Sequence, residues 1–338
     1  MKVKSIIRKI NKARFHRELV KFEKKEQIGK ITHIQLEPTA KCNLHCITCS
    51  RDAEIRNYTK LNMSLEELDK VLSMLPDLKS IKLGGLGEPL MHPELELFLK
   101  KIHDRGIRIW ANTNGTPLAS PRVREIVLKY INDMPVSFDS TNKEIFEKIR
   151  VGSNFDLIKN GTKSLVEDRN RQKANTIIGL TFVISHMNMD EMDSLYDLIT
   201  ELKLDYATIV EVENWSVEGE TGYNESKDFV AETRLHTAEI TERINKLRLR
   251  LLKHGILLGH KTSKERLGRC YWPFNSFFVN VEGFVMPCNI RMHKQYTFGN
   301  IFQAEKIEDV LNNADYINFR KAHMNLDKTN KICGTCPR

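Results

Sequence analysis

From residue 32 onward, the apolar positions of this chain switch repeatedly between two periods. Short runs rich in Ile, Val and Leu read as strands over Thr32–Leu36, Ser80–Leu83, Arg108–Ala111, Pro135–Phe138, Ile177–Ile184 and Tyr206–Val212. Between them, apolar residues three and four apart predict helices over Ser64–Met74, Pro93–Arg105, Pro121–Ile131, Lys143–Lys163, Asp190–Lys203 and Asp228–His254. Ser64 followed by Glu67 is a capping-box pattern, and Gly106 and Gly255 stand where two helices should stop. Strict alternation of strand and helix predicts an α/β fold with a parallel sheet and right-handed crossovers. Six repeats suit an open, partial (β/α)6 TIM-like barrel, which collects reactive groups at the C-terminal ends of its strands.

Charge adds a separate N-terminal feature. Residues 1–30 carry eleven Lys/Arg against Glu18, Glu23 and Glu26, a balance of +8 out of the net +9. Residues 1–31 therefore form a basic extension, which either packs on the barrel as a solvated helix or touches an anionic membrane or a partner protein. The nearly neutral remainder argues against a nucleic-acid surface. No apolar run approaches the roughly 18 residues of a membrane span. Seven cysteines without a signal peptide point to a reducing, cytoplasmic setting, with thiols used for metal.

Cys42, Cys46 and Cys49 follow the first strand at x3 and x2 spacing. Three thiolates so placed can hold three irons of a [4Fe–4S] cube and leave the fourth iron open to an outside ligand. A tetrahedral zinc site would need a fourth ligand, which His45, next to Cys46, is badly placed to give. After the second strand comes Leu83–Pro93, where glycines let backbone approach a ligand and Glu88 offers a carboxylate to an ammonium group. Cys270, Cys288, Cys333 and Cys336 flank a predicted hairpin within Phe277–Phe284. They can complete a second metal sphere, either a fully ligated cluster or a zinc ribbon.

The Cys-x3-Cys-x2-Cys run and the glycine-rich stretch ending in Glu88 resemble the signature of the radical S-adenosylmethionine (SAM) superfamily. The resemblance implies that SAM binds the open iron and is cleaved by one electron to a 5′-deoxyadenosyl radical, which abstracts a substrate hydrogen. It also implies that Gly85 and Glu88 hold the methionyl amine, and that Ser137 and Arg150, the latter on the helix after the fourth strand, hold its carboxylate. Asn112 and Asn114 match an Asn-rich end of the third strand, and Ile184 lies where relatives pass adenine. Relatives usually have an aromatic residue between the second and third cysteines; this chain has Ile47 and Thr48. The last four cysteines resemble the Twitch form of the SPASM domain, with spacing similar to the 2-deoxy-scyllo-inosamine dehydrogenase type. That implies a small α+β domain with an auxiliary [4Fe–4S] cluster over residues 260–338, behind a barrel of residues 32–259.

Three plus four cysteines use all seven, so no thiol is left to return a hydrogen atom to a substrate radical. The expected chemistry is oxidation: a carbinol of a sugar, aminocyclitol or similar small molecule becomes a carbonyl, and the auxiliary cluster takes an electron. Glu211, Glu213 and His260 are the candidate bases. A flavodoxin- or ferredoxin-type protein is the expected reductant. The alternative is a peptide-modifying enzyme; only a short arm precedes the first strand, so a separate leader-binding protein would then be needed. A non-catalytic iron–sulfur or zinc-stabilised binding protein would leave the open iron and the glycine-rich stretch idle. Val217–Ser226 reads as a mobile loop near the active face.

Overall fold

The computed structural model describes residues 22, 26–213, 223–261, 270, 272–288, 292, 294–325 and 332–333. The strands, in chain order, are β1 (His33–Leu36), β2 (His45–Cys46), β3 (Ser80–Leu83), β4 (Arg108–Ala111), β5 (Asp133–Ser137), β6 (Arg150–Val151), β7 (Ile177–Ile184), β8 (Tyr206–Glu211), β9 (Leu257–Lys261), β10 (Phe278–Val279) and β11 (Val285–Met286). The helices are α1 (Arg51–Glu54), α2 (Leu65–Met74), α3 (Leu95–His103), α4 (Pro121–Tyr130), α5 (Lys143–Ile149), α6 (Phe155–Gln172), α7 (Met192–Glu201), α8 (Tyr223–Leu235), α9 (Thr237–Leu252), α10 (Trp272–Asn275), α11 (Ile307–Leu311) and α12 (Ala314–Met324). Nine of the described strands make one sheet in the order β11-β10-β1-β3-β4-β5-β7-β8-β9, parallel except for the β10–β11 hairpin. β2 and β6 form a separate antiparallel ladder. Among the described residues the two edges of the large sheet do not meet, so the barrel is open.

The two faces of the sheet differ in chemistry. One carries Ile34, Leu36, Ile81, Leu83, Ile109, Ala111, Leu180, Phe182, Ala207 and Ile209, buried in one core with helix residues such as Leu72, Phe98, Val127, Leu198 and Leu247. Each of the Ile, Leu, Val and Phe side chains contributes about 1.5–3 kcal/mol on burial. The opposite face aligns Gln35 with Lys82 and Trp110, and Ser137 with Thr181 and Thr208. A parallel sheet covered by helices on both sides is apolar on both. The polar face therefore lines a lumen, with the strand ends at its rim.

Several predicted boundaries hold. Ser64 accepts from Glu67 N and its own N–H donates to the Glu67 carboxylate, and Gly106 and Gly255 sit at positive φ just past α3 and α9. The predicted helix over Lys143–Lys163 is in fact two. The chain leaves α5 at Arg150 to pair β6 with β2, turns at Gly152 (φ 90°) and restarts α6 under an Asn154 cap. Here tertiary pairing outweighs helical periodicity. Asp228–His254 likewise divides at His236 into α8 and α9, and β9 adds a parallel strand beyond the six predicted.

The N-terminal extension lies mostly outside the described residues. Its described part docks on the C-terminal region: Phe22 packs on Phe274, Glu26 pairs with Lys321, and Ile28 N donates to Asn312. Of the predicted loop Val217–Ser226, the start lies outside the described residues and the end opens α8. No helix among the described residues is long and apolar enough to cross a membrane.

Candidate active site

The chain leaves β1 into a strap, residues 38–41, that delivers Cys42. Glycine is required beneath it: a Cβ on Gly87 would lie 2.7 Å from the Ala40 carbonyl carbon and the Lys41 oxygen. Glu88 N closes the contact by donating to Lys41 O at 2.8 Å. Cys46 lies in β2 opposite Arg150, Ile47 N donates to Ile149 O, and Cys49 N donates to Cys46 O. The amide of Asn114 donates to Cys42 Sγ at 3.7 Å and to Asn43 Oδ1 at 3.0 Å. β3, β4 and β6 thus all fix the cysteine loop.

Burial pushes the Cys46 thiol up to about 12, against the opposing influence of Arg150, and raises Cys49 as well. The protein alone disfavours these thiolates, so a cation at the sulfurs is what would ionise them. Among the described residues no three His, Cys, Asp or Glu side chains converge as a single-ion site would require. His45 turns instead to Asp52, at 2.8 Å. Three cysteines on one loop offer one thiolate to each of three irons of a cluster.

Glu88 is buried at the end of β3. Its carboxylate accepts from Asn114 N (2.6 Å), the Thr113 hydroxyl (2.9 Å) and Leu90 N (3.1 Å). Burial pushes its pKa up to about 7 although these donors favour the anion. Gly85 packs on Glu37, whose Cγ would lie 2.7 Å from an added Cβ. Asn112 follows β4, and its buried Oδ1 has no hydrogen-bond partner among the described residues. Ser137 ends β5 on the luminal face, half-buried.

Arg150 does not lie within a helix as expected; it caps α5 and opens β6. Its Nη1 donates to Asp139 at 2.6 Å, with both side chains buried, while Nε has no hydrogen-bond partner among the described residues. Asp139 also accepts from Val183 N, which ties the pair to β7. Two orphaned polar atoms, Asn112 Oδ1 and Arg150 Nε, one an acceptor and one a donor, fit a ligand with both ammonium and carboxylate groups.

Ile184, by contrast, is buried in the helix-packed core, and only its backbone stands at the strand end. Glu211 and His260 share the face of Ile209, on the helix side, and pair with each other at 3.4 Å. Two of the three candidate bases thus point away from the lumen. Glu213 is buried just beyond β8.

Sequence reading passed over Glu37. It is fully buried and accepts from Leu86 N at 2.6 Å and Val281 N at 3.3 Å, joining the glycine-rich loop to the C-terminal hairpin. Burial pushes its pKa up to about 7. Nearby, Glu282 accepts from Thr59 N and its hydroxyl and pairs with Lys294. A lone carboxylate closing an apolar strand was the available signal for Glu37. The glycine directly before Glu88 was the signal for Gly87.

Cys270, Cys288 and Cys333 are half-buried, and Cys336 lies outside the described residues. β10 joins the main sheet beside β1, in register Gln35 with Phe278, so the hairpin between Cys270 and Cys288 extends the barrel's own sheet. The His323 ring lies 2.8 Å from Cys270 O and 3.2 Å from Cys333 Sγ.

Residues 36–199 match the family profile of the radical SAM superfamily, and residues 270–337 match that of the SPASM iron–sulfur cluster-binding domain. A probable GTP 3′,8-cyclase of Methanococcus maripaludis is 33% identical over 143 residues, 41% of this chain and 46% of that protein. The chain spans about half the length of the curated relatives it matches. Streptococcus suis SuiB bound to precursor peptide SuiA superposes with a TM-score of 0.70 at 15% identity, covering 90% of this chain and 69% of SuiB. BtrN in complex with AdoMet and 2-DOIA superposes with a TM-score of 0.51 at 16% identity, covering 92% and 94%.

Proposed function

We propose, on the premise that this chain belongs to the radical SAM superfamily and carries a C-terminal SPASM iron–sulfur domain, that it oxidises a carbinol of a small polyhydroxylated substrate held in the lumen. Cys42, Cys46 and Cys49 would hold the SAM-binding cluster, and Cys270, Cys288, Cys333 and Cys336 the auxiliary one. SAM at the open iron supplies a 5′-deoxyadenosyl radical able to remove a hydrogen atom, and the auxiliary cluster supplies a one-electron acceptor. A carbinol that gives up its C–H hydrogen, its hydroxyl proton and one electron becomes a ketone or aldehyde two hydrogens lighter.

The observation that carries this reading is the luminal face. Gln35, Ser137, Thr181 and Thr208 offer hydrogen bonds to hydroxyl groups, and Lys82 lies over the Trp110 ring at 5.1 Å. All seven cysteines fall in the two ligand sets, which leaves no thiol to return a hydrogen atom. Asn112, Asn114, Glu88, Ser137 and Arg150 orient SAM from the strand ends, and Gly85 and Gly87 allow the loop to close on it. Glu213 is the base of choice, since Glu211 and His260 lie against each other on the helix side. A flavodoxin- or ferredoxin-type protein supplies the electron for SAM cleavage.

A peptide substrate is the second reading, in keeping with the likeness to SuiB over most of this chain. Anaerobic protein loaded with iron and sulfide, given SAM, dithionite and a panel of deuterated aminocyclitols and sugars, tests the first. The expected result is 5′-deoxyadenosine carrying the carbinol deuterium, together with a product two hydrogens lighter. SAM cleavage that leaves every member of the panel unchanged and gives undeuterated 5′-deoxyadenosine overturns it in favour of the second reading.

A further inference from the structure

Helix α12 turns an unusual face inward. Tyr316, Phe319, Arg320 and His323 are its buried residues, and Arg320 is wholly inaccessible. A guanidinium is charged at every physiological pH, and buried charges are normally paired. Among the described residues Arg320 has no such match. Its Nε donates to Pro273 O at 2.6 Å, its Nη1 donates to Leu311 O, and its plane lies 3.7 Å from the Tyr316 ring centre. Its Nη2 is buried without a hydrogen-bond partner among the described residues. Among the described residues, then, its hydrogen-bond acceptors are neutral carbonyls.

The surroundings supply the missing anion. His323, three residues on along the same helix face, spans Cys270 O and Cys333 Sγ and so bridges segments 63 residues apart (333 − 270). Four thiolates carry more negative charge than an oxidised [4Fe–4S] core carries positive, so the ligated cluster is a net anion. At 3.2 Å from a cysteine sulfur, the ring is placed as that ligand's neighbour and not as the ligand of a separate iron.

We propose that α12 is the electrostatic seat of the auxiliary cluster, with Arg320 as its buried counter-charge and His323 as the brace between Cys270 and Cys333. Both are positioning residues, and the inference rests on the reading that these cysteines hold an iron–sulfur cluster. Arg320 favours reduction, because the added electron enters beside a fixed positive charge. That is the property an electron acceptor in the proposed oxidation needs.

The test uses full-length protein with Cys42, Cys46 and Cys49 replaced by Ala, so that only the auxiliary cluster can form. Iron content, chelator-driven iron loss and the midpoint potential from a spin-resonance titration are read for Arg320→Met, Arg320→Lys and His323→Ala. Arg320→Met should shift the potential to more negative values, Arg320→Lys should restore most of the shift, and His323→Ala should speed iron loss. An Arg320→Met potential equal to the parent's, or iron loss unchanged in His323→Ala, overturns the assignment. If Arg320→Met does not fold, Arg320→Gln decides by the same potential, because it keeps a donor for a carbonyl but not the charge. A parent that binds zinc or no iron instead overturns the cluster reading itself, a separate outcome.

Discussion

Replacing Gly87 by Ala tests whether the glycine-rich loop is shaped to seat the cysteine strap. The added methyl would lie 2.7 Å from the Ala40 carbonyl carbon and the Lys41 oxygen, and closer still to the Thr39 oxygen. Carbon contacts relax only near 3.5–4 Å, so the strap must retreat by about 1 Å. It cannot do so freely. Ala40 N is bonded to Leu61 O, Met63 N to Pro38 O, and Glu88 N to Lys41 O, all at 2.8–2.9 Å. Overpacking costs about 1–3 kcal/mol and one broken hydrogen bond about 1 kcal/mol more. The variant should therefore fold, about 2–4 kcal/mol less stable, with Cys42 displaced. Denaturant unfolding of the apoprotein gives the energy; spin resonance of the reduced protein with and without SAM gives the site. The first cluster should load poorly and lose its SAM response, while the auxiliary cluster is unaffected. Gly29→Ala, with nothing within 4 Å of the added atom, is the control. Wild-type stability together with a normal SAM response in Gly87→Ala would refute the packing argument.

Glu37 and Glu88 are both raised from 4.5 to about 7 by burial. The folded state thus holds protons that the unfolded state has released, and stability falls as pH rises from about 4.5 through 7, by on the order of 3 kcal/mol per group. Apoprotein Glu37→Gln should lose part of this slope between pH 5 and 8 in denaturant melts; a slope equal to the parent's would exclude Glu37 as a source. Asp139→Ala strands the Arg150 guanidinium beside the cysteine ladder and should cost about 3–5 kcal/mol, read as an earlier denaturation midpoint at unchanged m-value. Asn114→Ala removes the donor to Cys42 Sγ and should lower the potential of the first cluster, leaving that of the auxiliary one where it was.

Much of this arrangement is legible in the sequence because period and chemistry agree there. The strands Ser80–Leu83, Arg108–Ala111 and Ile177–Ile184 end where their apolar runs end, and the cysteine loop follows the first strand as the strand-end rule requires. The errors arise where long-range pairing overrides local pattern. Lys143–Lys163 is helical in period, yet Arg150 leaves the helix because Cys46 offers it a ladder partner. Glu211 and His260 look like strand-end acids and bases, but strand parity turns them onto the helix side with Ile209. Parity depends on register, and one sequence without a partner strand does not fix register. β9 was missed, and the predicted hairpin strand β10 was read without its pairing to β1, for a related reason, since two to five residues carry too little pattern to name a partner.

The pairing of Gln35 with Phe278 has a consequence for biogenesis. These neighbours are separated by 243 positions (278 − 35), so a chain emerging from the ribosome completes every other parallel strand before that flank of the first is covered. Until then the bare border exposes unpaired amides and carbonyls next to the nascent cysteine strap, a hazard for mispairing. Arrival of the C-terminal hairpin, clasped by Glu37 through Val281, covers that border, so the last strands synthesised protect the first.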